Sequence, residues 1–273
     1  MSGLNIIMPM AGAGMRFRNA GEVLPKPLIP VHGIPMFRLA TSSLTHSFPS
    51  AHVICVVLAE HNHMFGLSTL LPSVLSGASV AVVPHLTGGS LETCLAADAL
   101  VIDREAPTVV LDCDLTFYAP SYVSRLRSIL LGTDSSSGLL LSFRSSEPRY
   151  SYALAEEGFV RQTAEKKVIS NNALIGVYGF RSADLFFRTA RSIVSRNLRV
   201  GGGEFYVSSA FNDLIADGMQ VKLEDAEAYW SLGTPEELKV SVADPAFGLH
   251  LKQIGIPKPY GRSPGSAGDA VTV

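Results

Sequence analysis

The chain has 273 residues, 47% of them hydrophobic, enough to bury the core of one large domain. Its 22 basic and 24 acidic residues leave a net charge of −2 with no basic run, so a broad nucleic-acid or anionic-membrane surface is not expected. The start of the chain lacks a basic region followed by a long apolar run, and no stretch approaches about 18 uninterrupted apolar residues, so neither secretion nor a membrane span is expected.

In chain order, Leu4 to Met8 reads as a buried strand that runs straight into Pro9-Met10-Ala11-Gly12-Ala13-Gly14-Met15-Arg16. A loop of such small residues lets backbone N–H groups approach an anion without Cβ obstruction. Arg16 adds a forked cation, and Lys26, set between Pro25 and Pro27, adds a second on a stiffened backbone. Two cations aimed at one polyphosphate suit phosphoryl or nucleotidyl transfer, where charge neutralisation and positioning do most of the catalysis. The loop is neither a dinucleotide fingerprint, which needs a third glycine at fixed spacing, nor a Walker A loop.

Pro35 opens an expected helix with Met36, Leu39, Ala40 and Leu44 at helical spacing. Val53 to Leu58, Ser79 to Val83 and Thr108 to Leu111 read as buried strands, with helical segments between them, the third spaced as Leu91, Leu95, Ala99 and Ile102. This alternation predicts an α/β fold with a mostly parallel sheet, whose ligand sites lie at the carboxyl ends of strands. Asp112 and Asp114 follow the last of these strands. In extended chain they point the same way and can meet one hard cation such as Mg²⁺.

From Leu139 the strands become shorter and alternating (Leu139 to Phe143, Tyr152 to Ala155, Phe159 to Gln162, Leu174 to Phe180), which predicts an antiparallel or mixed extension. Helices are expected at Phe186, Ala190 and Ile193 and at Val207 through Ile215. The division expected is a domain over 1–244, with a nucleotide half to about 135 and an acceptor half from 136, followed by a mobile extension over 245–273. Cys55, Cys94 and Cys113 are odd in number and without metal spacing, which fits a reducing compartment, the cytoplasm.

The opening string, with Pro25-Lys26-Pro27-Leu28 and Val31-His32-Gly33-Ile34-Pro35-Met36 after it, resembles the signature of the sugar-phosphate nucleotidylyltransferases. The resemblance implies a GT-A-like, Rossmann-like fold with a smaller acceptor-side lobe. It implies Arg16 and Lys26 on the triphosphate, Met10, Ala11, Gly12, Ala13 and Gly14 on the nucleotide, and Gly88 and Gly89, before Ser90-Leu91-Glu92-Thr93, on the base. Asp114 becomes the Mg²⁺ ligand, with Asp112 beside it. Lys166, Asn172, Gly176 and Glu204 fall where the family binds its acceptor. The closing segment Trp230-Ser231-Leu232-Gly233-Thr234-Pro235-Glu236-Glu237-Leu238 also resembles the family, but Ser231 stands where the family has a second metal-binding Asp.

The reaction implied joins an NTP to a phosphorylated small molecule, a sugar 1-phosphate first, releasing pyrophosphate. Phosphocholine as acceptor, a GT-A glycosyltransferase and a non-catalytic nucleotide-binding module stay open, as does a homo-oligomer.

Overall fold

A computed structural model describes residues 3–200 and 203–256. Its strands are β1 Asn5–Met10, β2 Pro30–Val31, β3 Ile34–Pro35, β4 His52–Leu58, β5 Ser79–Val83, β6 Thr108–Leu111, β7 Leu115–Tyr118, β8 Gly138–Arg144, β9 Ser151–Glu156, β10 Phe159–Glu165, β11 Asn172–Phe180, β12 Val221–Asp225 and β13 Ala228–Ser231. Nine of them form one sheet in the order β5-β4-β1-β6-β11-β8-β12-β10-β9. The first four run parallel, β11 is reversed against both neighbours, β12 runs parallel to β8, and β10 and β9 finish antiparallel. All eight expected strands are present. Those of the second half extend the same sheet instead of closing one of their own.

The sheet is covered on both faces because successive residues of a strand point to opposite sides. On one face Ile7, Val56 and Val110 meet helices α5 (Ser90–Cys94), α7 (Ala183–Ser195) and α8 (Ala210–Ala216) through Leu91, Phe186 and Phe211. On the other, Ile6, Met8, Cys55 and Val109 meet α2 (Met36–Thr45), α4 (Leu67–Val74) and α6 (Pro120–Leu130) through Phe37, Leu71 and Leu126. Two short helices, α1 (Met15–Asn19) and α3 (Ala59–Phe65), follow the carboxyl ends of β1 and β4. The third expected helix is shorter than its spacing suggested: α5 tightens into a 3₁₀ turn over Leu95–Leu100, and Ile102 is 81% exposed.

A third apolar cluster underlies the loops that matter below. Phe17 of α1 and Ile29 beyond Lys26 pack with Trp230, Leu232, Phe247 and Leu251. Phe247 and Leu251 belong to α10 (Pro245–Gln253), which follows α9 (Pro235–Ala243) and begins at Asp244, whose side chain accepts from Ala246 N–H. The mobile extension expected from residue 245 is therefore an ordered, packed helix over its first part. Its apolar positions Phe247 and Leu251 recur at i and i+4 within a stretch whose Gly and Pro content masked them. The remainder of that extension, 257–273, lies outside the described residues.

The helix is clasped by polar groups as well. His250 stacks on Trp230 (4.7 Å between centroids, 24°), and its Nε2 sits 2.9 Å from Thr116 Oγ1, which in turn meets Ser43 Oγ at 2.8 Å. Burial lowers the His250 pKa to about 4 and leaves Nδ1 without a partner. The folded state thus binds fewer protons at this group than the unfolded state between pH 6.5 and 4, and stability falls as pH drops through that window. Urea titrations across it should show a pH-dependent loss of up to about 3 kcal/mol that His250→Gln lacks. Parallel losses in both proteins would assign the effect to other groups.

Candidate active site

Site residues gather at the carboxyl edge of the parallel strands, where β1 and β6 end side by side. After Met10 the chain turns through Gly12 and Gly14. Gly14 is left-handed (φ +64°) and starts α1, so Arg16 is presented on its first turn. Pro25 caps a single 3₁₀ turn, Lys26–Leu28, with Pro27 as its second residue, and the turn brings Lys26 back against Gly14 of the same loop. β6 delivers Asp112 and Asp114, separated by the buried Cys113.

These groups line one cavity of about 350 Å³. Met10, Gly12, Gly14, Arg16, Lys26, Asp112, Asp114 and Gly176 are all in its wall. A second cavity of about 340 Å³ lies between the glycine loop and residues 86–93 and is lined by Ala11, Ala13, Gly89 and Glu204. Pro9, Gly12, Ser90 and Asp112 belong to both, so the two form one continuous cleft.

Lys26 Nζ donates to Asp114 Oδ2 at 2.7 Å. Burial alone would lower the Lys26 pKa, yet the Asp114 carboxylate, with the Cys113 and Asp112 groups behind it, holds the ammonium above its usual range. Asp112 is shifted upward, first by burial and then by the neighbouring Asp114 charge, against the pull of Lys26. Gly176 (φ +91°) passes so close that a Cβ there would lie 2.5 Å from Asp112 Oδ2, and Asp112 N–H donates to Gly176 O at 2.9 Å. The two aspartates are therefore held apart by different neighbours while sharing one field.

Four assignments take different places, the first being Glu204, expected on the acceptor but lining the cavity beside the glycine loop with Ala11, Ala13 and Gly89. Asn172 starts β11, where its Nδ2 donates to Ala153 O at 3.1 Å and its Oδ1 accepts from Arg144, so it ties strands together and lies outside both cavity walls. Gly88 also turns away. Its carbonyl accepts from Phe205 N–H at 2.8 Å, and a Cβ would meet the Arg199 guanidinium and Glu92. Lys166, left-handed at φ +53°, lines neither cavity and donates to Tyr206 Oη at 2.6 Å with its Nζ 5.0 Å from that ring. Its neighbour Glu165 enters the larger cavity instead, accepting from Ser151 and Ser208, with burial raising its pKa.

The same cavity is lined by Arg149, Tyr150, Tyr206 and Tyr229, and by Glu237, which falls in the closing segment. Glu237 is the third residue of α9 after its Thr234 cap, the capping-box spacing, which reads as helix chemistry. Its carboxylate leaves the helix end and meets Arg149 Nη1 at 2.9 Å and Tyr150 Oη at 3.3 Å, both at Oε1.

Comparison with solved structures fits this architecture. A nucleoside-diphosphate-sugar pyrophosphorylase from Vibrio cholerae RC9 superposes with a TM-score of 0.74 at 24% identity, over 88% of this chain and all of that one. The fold is that of these pyrophosphorylases. A UDP-glucose pyrophosphorylase complexed with UDP-glucose shares it, with a TM-score of 0.69 at 16% identity over 93% of this chain and 100% of the other. So does a Bacillus anthracis protein assigned as a glucose-1-phosphate thymidylyltransferase, with a TM-score of 0.69 at 19% identity over 88% of this chain and 94% of its own. No family model and no curated protein matches the chain. Among the described residues no helix is long and apolar enough to cross a membrane.

Proposed function

We propose that the protein is a nucleotidylyltransferase that joins an NTP to a sugar 1-phosphate, giving an NDP-sugar and pyrophosphate. The observation that carries this is the convergence of Arg16, Lys26, Asp112 and Asp114 on one cavity reached by the glycine loop. The nucleotide lies along Ala11 to Gly14 with its base toward Gly89, and the acceptor occupies the half lined by Tyr150, Ser151, Glu165, Gly176 and Tyr206. This is a GT-A-like division of one sheet into a nucleotide half and an acceptor half.

An acceptor phosphate oxygen attacks the α-phosphorus while the bond from that phosphorus to the bridging oxygen of the β-phosphate breaks, and the electron pair leaves with pyrophosphate. Arg16 and Lys26 face the charge that grows on the leaving group. No covalent enzyme intermediate is required. For Mg²⁺ the donor set fits: Asp114 and Asp112 are hard oxygen donors on one strand end, and Gly233 leaves space beside Asp114 Oδ2 that a Cβ would fill. Among the described residues no three His, Cys, Asp or Glu side chains form a self-sufficient metal cage, which suits an ion that arrives with nucleotide phosphates. When bound, Mg²⁺ supplies neutralisation of phosphate charge and in-line orientation. The free, buried thiols of Cys55, Cys94 and Cys113 suit the reducing cytoplasm.

A panel of four NTPs against several sugar 1-phosphates and phosphocholine, read by pyrophosphate release, tests the reading. We expect release that depends on one NTP and one acceptor class. Transfer from an NDP-sugar without pyrophosphate would replace it with a glycosyltransferase, and NTP binding without pyrophosphate under any acceptor would replace it with a nucleotide sensor.

A further inference from the structure

We infer that Glu237 is a further protein carboxylate for the divalent cation, beside Asp114 and Asp112, facing Asp114 across Gly233; this rests on the reading above that the cleft takes a metal-bound NTP. A Cβ built at Gly233 would stand 2.9 Å from Asp114 Oδ2, 3.1 Å from Glu237 Oε2 and 3.7 Å from Ser231 Oγ. Three oxygens, from the turn between β6 and β7, the end of β13 and the first turn of α9, converge on one point kept clear by the lack of a side chain. The backbone does not demand glycine there, since Gly233 does not have a positive φ, so what the glycine provides is room.

The partners of Glu237 aim it. Arg149 and Tyr150 both take Oε1, which directs Oε2 toward Gly233. Arg149 is itself fixed by Glu147 at 2.7 Å and lies over the Tyr150 ring at 4.7 Å, so the carboxylate is braced by a rigid cation rather than left to turn back to its own helix end. The outer oxygen is neutralised and the inner one is presented beside Asp114. Lys26 balances the Asp114 side of the pair. A small hard cation prefers such carboxylate oxygens.

The test uses the full chain and Mn²⁺ as the probe, with binding read by electron paramagnetic resonance, first alone and then with the NTP that supports turnover in its non-hydrolysable form. Glu237→Gln should weaken Mn²⁺ binding by about tenfold or more, as Asp114→Asn should, and Arg149→Gln should weaken it by a smaller factor, because the carboxylate stays while its aim is lost. Unfolding midpoints of all three variants establish that each is folded. Equal Mn²⁺ affinity in Glu237→Gln and the wild type overturns the assignment. Wild-type pyrophosphate release is measured separately. Its presence alongside unchanged Mn²⁺ binding rejects Glu237 alone, and its absence with every NTP and acceptor rejects the nucleotidylyltransferase reading itself.

Discussion

Lys26→Ala should lower the rate of pyrophosphate release by about 10²- to 10³-fold, the usual cost of deleting one preorganised group that meets charge developing in the transition state. The side chain is placed for that role by covalent means. Pro25 and Pro27 restrict the backbone on both sides, and the Asp114 contact at 2.7 Å fixes the head group. Removing the ammonium also leaves the Asp114 and Asp112 carboxylates facing an incoming triphosphate without their nearest counter-charge, so nucleotide binding should weaken along with turnover. The fold should survive. The Asp114 side chain keeps 21% of its surface in water, and such a partly exposed pair contributes little to stability. Lys26→Arg should recover part of the rate, because the charge returns with a different shape. Steady-state kinetics with an unfolding midpoint for each variant decides the matter, and an unchanged turnover number in Lys26→Ala would remove this residue from the chemistry.

How much of the fold and site is legible in the amino-acid sequence depends on whether the deciding contact is local in the chain. Ile6 to Met8, Val53 to Leu58 and Thr108 to Leu111 are strands buried on both faces, and such runs announce themselves by composition. The glycine loop, Lys26 and the two aspartates are legible because strict local chemistry marks them. β12 and β13 are not, since Val221–Asp225 and Ala228–Ser231 are short and half polar and are held by β8 and β7, about 80 and 110 residues earlier in the chain. Asn172 and Gly88 carry plausible motifs, but Ala153 O and Phe205 N–H, partners remote in sequence, turn them to structural duty. Glu237 is the reverse case. Its capping-box spacing points to a helix end, and only the Arg149 side chain, brought over by the β8–β9 connection, draws it into the cleft.

Gly89→Ala should cost about 3–5 kcal/mol, a drop of about 10 °C in the unfolding midpoint, through one crossing of two backbones. Gly89 has φ +144°, a conformation that side chains rarely adopt, and an added Cβ would lie 2.5 Å from Phe205 N and 2.9 Å from its carbonyl carbon. Neither atom belongs to a flexible side chain. Phe205 is held on both sides of this point, its N–H donating to Gly88 O at 2.8 Å and its carbonyl accepting from Leu91 N–H at 3.0 Å. To admit a methyl group the crossing must open, and both hydrogen bonds go with it. Gly66→Ala is the reference: its φ of +60° and ψ of +37° lie in the left-handed region that other residues enter at modest cost, and nothing stands within 4 Å of the new Cβ, so about 1 kcal/mol is expected. The crossing also joins the two sides of the proposed nucleotide cavity, because Gly89 lies in one wall and Glu204, the residue before Phe205, in the other. Nucleotide affinity should therefore fall in Gly89→Ala and stay unchanged in Gly66→Ala. Equal unfolding midpoints for the two variants would show that the crossing relaxes at no cost and that the glycine is there for another reason.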